Sequence, residues 1–213
     1  MTYIIGLAGP GHVGKSTTAK KILEAFNTFT ISNKRTLFTK IFPDVPLPLN
    51  PIFDLKIGSF AFAMPIYELV SSITGFEISQ LKDETFKETP WTSENSPMPC
   101  LIDWTPRKLL QIIGTECFRN NVNKDFWIEL SLSKIKNYDI AICEDSRFSN
   151  EYKKCDIVIE LERDGIDYLM NHASAMPPDK KYVWKKIKLH NDIDYKQILE
   201  DILLKYIKDK NAI

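Results

Sequence analysis

A lysine and a serine directly behind a glycine, with a second glycine upstream, carry the most chemistry in this chain. Gly9-Pro10-Gly11-His12-Val13-Gly14-Lys15-Ser16 fits G-x-x-x-x-G-K-[ST], the spacing of a phosphate-binding loop. Glycines let the backbone curl until its N–H groups point inward around an anion. A helix that starts behind the loop adds partial positive charge. Lys15 is placed to reach the outer phosphates, and the Ser16 hydroxyl is the expected magnesium ligand. Gly9, Gly11, His12, Val13, Gly14, Lys15, Ser16 and Thr17 are together the expected phosphate and nucleotide contacts. His12 is expected to expose its ring there without a chemical duty.

A second constellation is Asp145, Arg147 and Glu151 in "EDSRFSNEY". Asp145 closes an apolar run and is the natural partner for magnesium or its water shell, and a bland alternative is that it caps the next helix. Arg147 and Glu151, four apart, share a face if the segment is helical. Arginine is scarce here: five of 28 basic residues, namely Arg35, Arg107, Arg119, Arg147 and Arg163. Planar bidentate contact to phosphate is the usual specific task of an arginine, and pairing with surface carboxylates is the alternative.

These residues need elements to hold them. Tyr3–Leu7 is a short apolar, β-branched run, expected to be a buried strand. Thr17–Phe26 puts Ala19, Ile22, Leu23 and Phe26 on one helical face. The prolines of residues 43–51 exclude helix and central strand there, which suggests a surface excursion. "FDLKIGSFAFAMP" has a strand pattern ending near Pro65. Ile66–Ile73 is expected to be helical, "EISQLKDETFKE" a short polar helix, and "TSENSPMPC" a loop. Thr105-Pro106 is a helix start, a cap residue followed by proline. It leads into one helix, "PRKLLQIIGTECFRNNV", and "DFWIELSLSKIK" follows from an Asp125 cap. "YDIAICED" and "DIVIELER" are expected strands with the short helix "SNEYKK" between them. "KYVWKKIKLH" is a last strand, and "YKQILEDILLKYIKDK" an amphipathic terminal helix. Alternating strands and helices predict an α/β fold: a parallel sheet with helices on both faces, ligands at the carboxyl ends of its strands.

Composition narrows the classes. With 213 residues, one domain with a full core is expected. The formal net charge is zero, which argues against coating nucleic acid or lying on a membrane surface. No apolar run is long enough for a bilayer span, and the N-terminus enters a strand without a signal-peptide pattern. Cys100, Cys117, Cys143 and Cys155 show no CxxC spacing, so a reducing, cytoplasmic setting without disulfides is expected, with Cys143 in the core. His172 and His190 lack metal-ligand spacing, and no zinc site is expected.

The loop alone occurs in GTPases, motor and transport ATPases and small-molecule kinases. Asn123-Lys124-Asp125 lacks the spacer of a guanine-reading N-K-x-D, and the chain has no Asp-x-x-Gly switch motif. A water-activating glutamate usually follows the strand-end aspartate; here Ser146 follows Asp145 and Glu144 precedes it. Group transfer to a small acceptor is the better reading.

On an ordered set of segments, the chain resembles the deoxynucleoside monophosphate kinases of large bacteriophages and related viral enzymes. The set is the phosphate loop, "FAMPI" (62–66), "TPRKLLQIIGTECFRNNVNKDFW", "EDSRFSNEY" and "KLHNDID". The arginine-to-tryptophan block and the D-x-R-x-x-x-E are the specific ones. The resemblance implies a three-layer P-loop kinase fold as a single domain, acceptor-binding helices over about 66–130, and ATP with Mg2+ as donor. It implies that Gly11, Gly14, Lys15, Ser16 and Thr17 hold donor phosphates and metal. Ile66, Arg107, Gly114, Thr115, Trp127, Asp145, Arg147 and Glu151 would surround the acceptor nucleotide. Arg119, one turn beyond Thr115, and Lys87 are further acceptor candidates.

Departures stand beside the matches. Tyr67 replaces a frequent lysine, His172-Ala173-Ser174-Ala175 lacks a glutamate of the family pattern, and Ser16 stands where many relatives have aspartate. The expected activity is transfer of the ATP γ-phosphoryl group to a deoxynucleoside 5′-monophosphate, with Lys15, Arg107, Arg147 and Asp145 in catalytic roles. Ser16 and Asp145 would form the metal site, and 163–181 is the expected lid, with Arg163 within reach of ATP. Small nucleotides are the expected partners, neither nucleic acid nor membrane is, and a homodimer is compatible. If the source is viral, the setting is the host cytoplasm. A kinase for another phosphorylated metabolite, or a nucleotide-binding regulatory ATPase, is the alternative.

Overall fold

The computed structural model describes residues 1–29, 36, 39, 55–168 and 177–211. The proline-rich 43–51 stretch, His172 and the middle of the expected lid lie outside the described residues. The described chain divides into two compact units. The first comprises Met1–Phe60 with Ile135–Ile213, and the second is Ala61–Lys134.

The first unit is built on a sheet of five parallel strands, β1 (Tyr3–Ala8), β2 (Ile57–Phe60), β3 (Ile140–Cys143), β4 (Ile157–Glu162) and β5 (Val183–Lys188). Their spatial order is β2-β3-β1-β4-β5, which makes β1 central. That position explains its composition: every residue of Tyr-Ile-Ile-Gly-Leu-Ala is buried, as a strand covered on both faces requires. The helices α1 (Lys15–Asn27) and α8 (Tyr195–Asn211) cover one face. Ala19 and Ile22 of α1 and Leu199 and Leu203 of α8 meet Ile5, Leu7, Ile159 and Leu161 there. On the other face, Ala8 and Val158 cluster with Tyr152, which belongs to the one-turn helix α7 (Ser149–Tyr152).

Because all strands run the same way, the segments behind β1, β3 and β4 leave the sheet at one edge. Gly6 pairs with Cys143 and Ala8 with Glu160. The glycine loop, Asp145 and Arg163 therefore start from neighbouring strand ends. Lysines mark the outer strand β5. Lys185 pairs with Asp201 of α8, Lys186 with Glu160 (2.7 Å) and Glu162 (3.1 Å), and Lys188 with Asp164 (2.7 Å).

The second unit is helical: α2 (Met64–Thr74), α3 (Ile78–Lys82), α4 (Glu84–Glu88), α5 (Pro106–Gln111), a π-helical stretch Ile112–Asn120, and α6 (Phe126–Lys134). Val70, Leu81, Trp91, Leu101, Leu109, Ile113 and Trp127 form its core. Three local expectations change here. The strand pattern "FDLKIGSFAFAMP" is a strand only to Phe60, and a helix has begun by Met64, with Pro65 in its first turn. The alternating "SFAFA" begins in the strand, but its last three residues, 61–63, make the turn into α2. The polar helix of 77–88 is two helices, because Asp83 is extended and its carboxylate caps α4 by accepting from Phe86 N–H (2.7 Å). The third change is the helix from Pro106, which turns from α to π at Ile112.

The four cysteines are free thiols. Among the described residues, no helix is long and apolar enough to cross a membrane.

Candidate functional site

The glycine loop is shaped by three unusual backbone positions. Gly9 (φ 146°) and Gly14 (φ 110°) occupy conformations that L side chains rarely adopt, and His12 reaches φ 60° without being glycine. A Cβ on Gly9 would stand 2.6 Å from the Leu161 carbonyl oxygen, so the loop leans directly on β4. Gly11 is different: its φ is ordinary, and a Cβ there would meet nothing within 4 Å. Nothing in the described structure itself demands glycine at that position. Val13 is buried, His12 is exposed, and Ser16 and Thr17 present exposed side chains on the first turn of α1.

Lys15 is turned into this loop. Its ammonium donates to the carbonyl oxygens of Gly9 (2.9 Å) and Pro10 (2.8 Å). Burial, with the Arg147 charge second, pushes its pKa down to about 8, while Asp145 acts in the opposite direction. Those couplings put Lys15, Arg147 and Asp145 in one electrostatic neighbourhood. Arg163 reaches it from the end of β4: its Nη2 lies 3.2 Å from where a Gly14 Cβ would be. Composition flags Arg163, but nothing in the sequence places it against Gly14.

The segment behind β3 is held by buried polar contacts. Glu151 is only 2% exposed. Its carboxylate accepts from the backbone N–H groups of Arg147 (2.8 Å) and Phe148 (3.1 Å), which starts α7. The Tyr152 hydroxyl donates to the Ser146 carbonyl (3.1 Å). A Cβ on Gly6 would crowd Cys155 Sγ (2.8 Å) and Ser146 Oγ (3.0 Å), which explains glycine inside a central strand. Asp145 accepts from the Cys143 thiol at 3.3 Å, and burial pushes that thiol's pKa well up. The geometry gives Glu151 a backbone-holding role. It leaves Arg147 exposed at the tip of the turn.

The remaining candidates lie in the second unit. Arg107, the second residue of α5, donates Nη2 to Glu84 (2.7 Å) and Nε to Glu88. Lys87 is 7% exposed and donates to Glu84 at 2.7 Å. Two cations and two carboxylates thus form one cluster. Gly114 lies in the π-helical stretch. A Cβ there would come within 3.0 Å of Ile66 Cδ1, and its carbonyl accepts from the Trp127 indole N–H at 2.8 Å. Glycine admits the α2 side chain, and the buried indole takes a backbone oxygen inside the helix, a contact of the kind that accompanies departures from α geometry. π segments are rare and often functional. Thr115 is exposed and Arg119 half-buried on the same stretch, four residues apart, slightly less than one turn of this wider helix. Trp127 is a core residue that also serves as a hydrogen-bond donor.

Among the described residues, no group of three or more His, Cys, Asp or Glu side chains could hold a metal ion. Magnesium at a nucleotide needs no such group, since phosphate and water oxygens fill most of its octahedron. The exposed Ser16 hydroxyl and the Asp145 carboxylate, which is electrostatically coupled to Lys15, are hard oxygen donors of the right kind.

No family profile matches the chain, and no curated protein matches it.

Proposed function

We propose that this protein is an ATP-dependent kinase of deoxynucleoside 5′-monophosphates, with a P-loop kinase fold. The observation that carries the reading is Lys15. Its ammonium rests on two loop carbonyls, with Asp145 and Arg147 as charged neighbours, at the carboxyl edge of a parallel sheet. A cation whose partners among the described residues are neutral carbonyls can exchange them for phosphate oxygens without breaking a salt bridge there.

In this reading the loop N–H groups and the N-terminus of α1 bind the donor phosphates. Lys15 swings from Gly9 and Pro10 to the outer phosphates. Ser16 and Asp145 would hold a magnesium ion, which when bound would neutralise phosphate charge and orient the donor. Arg147, fixed at its backbone by Glu151, offsets charge on the transferred group. Arg107 and Lys87 take the acceptor phosphate, while Ile66, Gly114, Thr115, Arg119 and Trp127 form its nucleoside side. The acceptor oxygen is already anionic, so no strong general base is needed, and positioning with charge neutralisation supplies the catalysis. Arg163, against Gly14, belongs to the donor side.

A substrate panel tests the reading: dTMP, dGMP, dCMP, dAMP and the ribonucleotides, each with ATP and magnesium. ADP should form only when a deoxynucleotide is present. ADP release without any acceptor would favour a regulatory ATPase. Inactivity with every nucleotide would favour a kinase acting on another phosphorylated metabolite.

A further inference from the structure

The cluster around Arg107 contains more negative charge than a waiting phosphate site should tolerate. Glu84 and Glu88 stand one turn apart on α4, a spacing at which like charges repel. Lys87 and Arg107 neutralise them. The two carboxylates do different jobs. Among the described residues, Glu84 is the carboxylate that the nearly buried Lys87 ammonium contacts, at 2.7 Å, and it also binds Arg107. A buried ammonium needs such a counter-ion. Glu88 contacts Arg107 alone among these cations, and its side chain is 59% exposed. It can turn to solvent at little cost.

We propose that Glu88 is an internal competitor for the anion: its carboxylate occupies Arg107 Nε until a phosphate displaces it, and so sets how tightly the second unit binds a phosphate dianion. The charge balance supports this. Among the described residues two carboxylates contact Arg107, and both repel an incoming dianion, which therefore gains attraction when one of them leaves. Glu88 is the one free to leave, whereas Glu84 stays with Lys87. The role rests on the proposed function for the identity of the ligand, but not for the exchange itself.

The test uses the whole protein. Inorganic phosphate binding is measured by calorimetry in wild type, Glu88→Gln, Arg107→Ala and the double variant. Steady-state KM for a deoxynucleoside monophosphate and for ATP is measured for wild type and Glu88→Gln. Glu88→Gln should tighten phosphate about two- to fivefold, the range open to exposed charge pairs. It should lower the acceptor KM similarly, leave the ATP KM unchanged, and have no effect on phosphate in the Arg107→Ala background. That background separates this site from phosphate bound at the glycine loop. Glu84→Gln serves as the contrast, with a lowered thermal midpoint from the unpaired Lys87 ammonium. Unchanged or weaker phosphate binding in Glu88→Gln overturns the proposal, as does the same tightening when Arg107 is absent. If no deoxynucleotide is phosphorylated but the Arg107-dependent tightening is seen, the kinase reading fails and the competitor role stands.

Discussion

The two units hold their key cations in opposite ways. In the sheet unit, Lys15 rests on the neutral carbonyls of Gly9 and Pro10. In the helical unit, Arg107 is held by the full charges of Glu84 and Glu88. A carbonyl dipole yields readily to a phosphate oxygen, whereas a carboxylate competes with it. On the proposed function, the first arrangement would suit a tightly held donor, and the second an acceptor whose binding depends on exchange.

Removing the first cation should have the largest effect. On the proposed function, Lys15→Ala should lower kcat on the order of a hundredfold or more, since the charge would be aimed at the transferred group. Far-ultraviolet circular dichroism should be unchanged. An alanine variant that keeps most of its kcat would remove the donor side of the comparison.

Asp145→Asn comes next. It keeps size and capping ability but removes the charge, so activity should drop about tenfold or more and the remainder should need more magnesium. A magnesium titration with unchanged rate and midpoint would remove Asp145 from the metal site.

Arg107→Ala and Arg147→Ala should raise the acceptor KM and slow transfer, by about tenfold, with smaller effects on ATP. An effect confined to the ATP KM would move that arginine to the donor side.

The contrast also has a pH signature. Lys15 starts from a pKa of about 8, lowered from 10.5 chiefly by burial. Only the protonated amine attracts phosphate. ATP affinity should therefore be flat below about pH 8 and weaken above it by up to about tenfold per unit, until the pKa of the bound form is reached. ATP binding at pH 9 should take up a proton in wild type, read from calorimetry in buffers of different ionisation enthalpy, and this uptake should vanish in Lys15→Ala.

The smallest effect concerns the frame of the helical unit. Trp127→Phe removes the hydrogen bond to Gly114 and should cost about 1 kcal/mol in urea unfolding, with some further loss of packing. A change within error would mean that neither the hydrogen bond nor the larger ring contributes to stability.

The strand–loop–helix at the N-terminus was legible because local rules agree there: a buried apolar run, glycines where φ is positive, and a helix face of Ala19, Ile22, Leu23 and Phe26. The π-helical stretch was not legible. It carries a contact from Trp127, thirteen residues away, whose indole reaches the Gly114 carbonyl, and an apolar pattern read at one period does not encode that. The role of Glu151 was hidden for a similar reason. A carboxylate four residues from an arginine looks like a ligand or ion pair, and nothing in that spacing says that it also accepts from that arginine's backbone. The partners of Arg107 lie 19 and 23 residues earlier, on a helix whose polar pattern reads as ordinary surface. Charged residues are read easily as chemistry, but what already neutralises them depends on the tertiary fold.

The lysines of β5 matter for what the sheet does not do. A strand at the rim offers unpaired backbone groups to any passing extended segment, including the rim of a second copy. Here a newcomer would have to lie beside the ammonium groups of Lys185, Lys186 and Lys188 and disturb their pairs with Asp201, Glu160, Glu162 and Asp164. The ion pairs contribute little to stability one by one. Collectively they put charge along this rim of the described sheet, a device that disfavours edge-to-edge pairing.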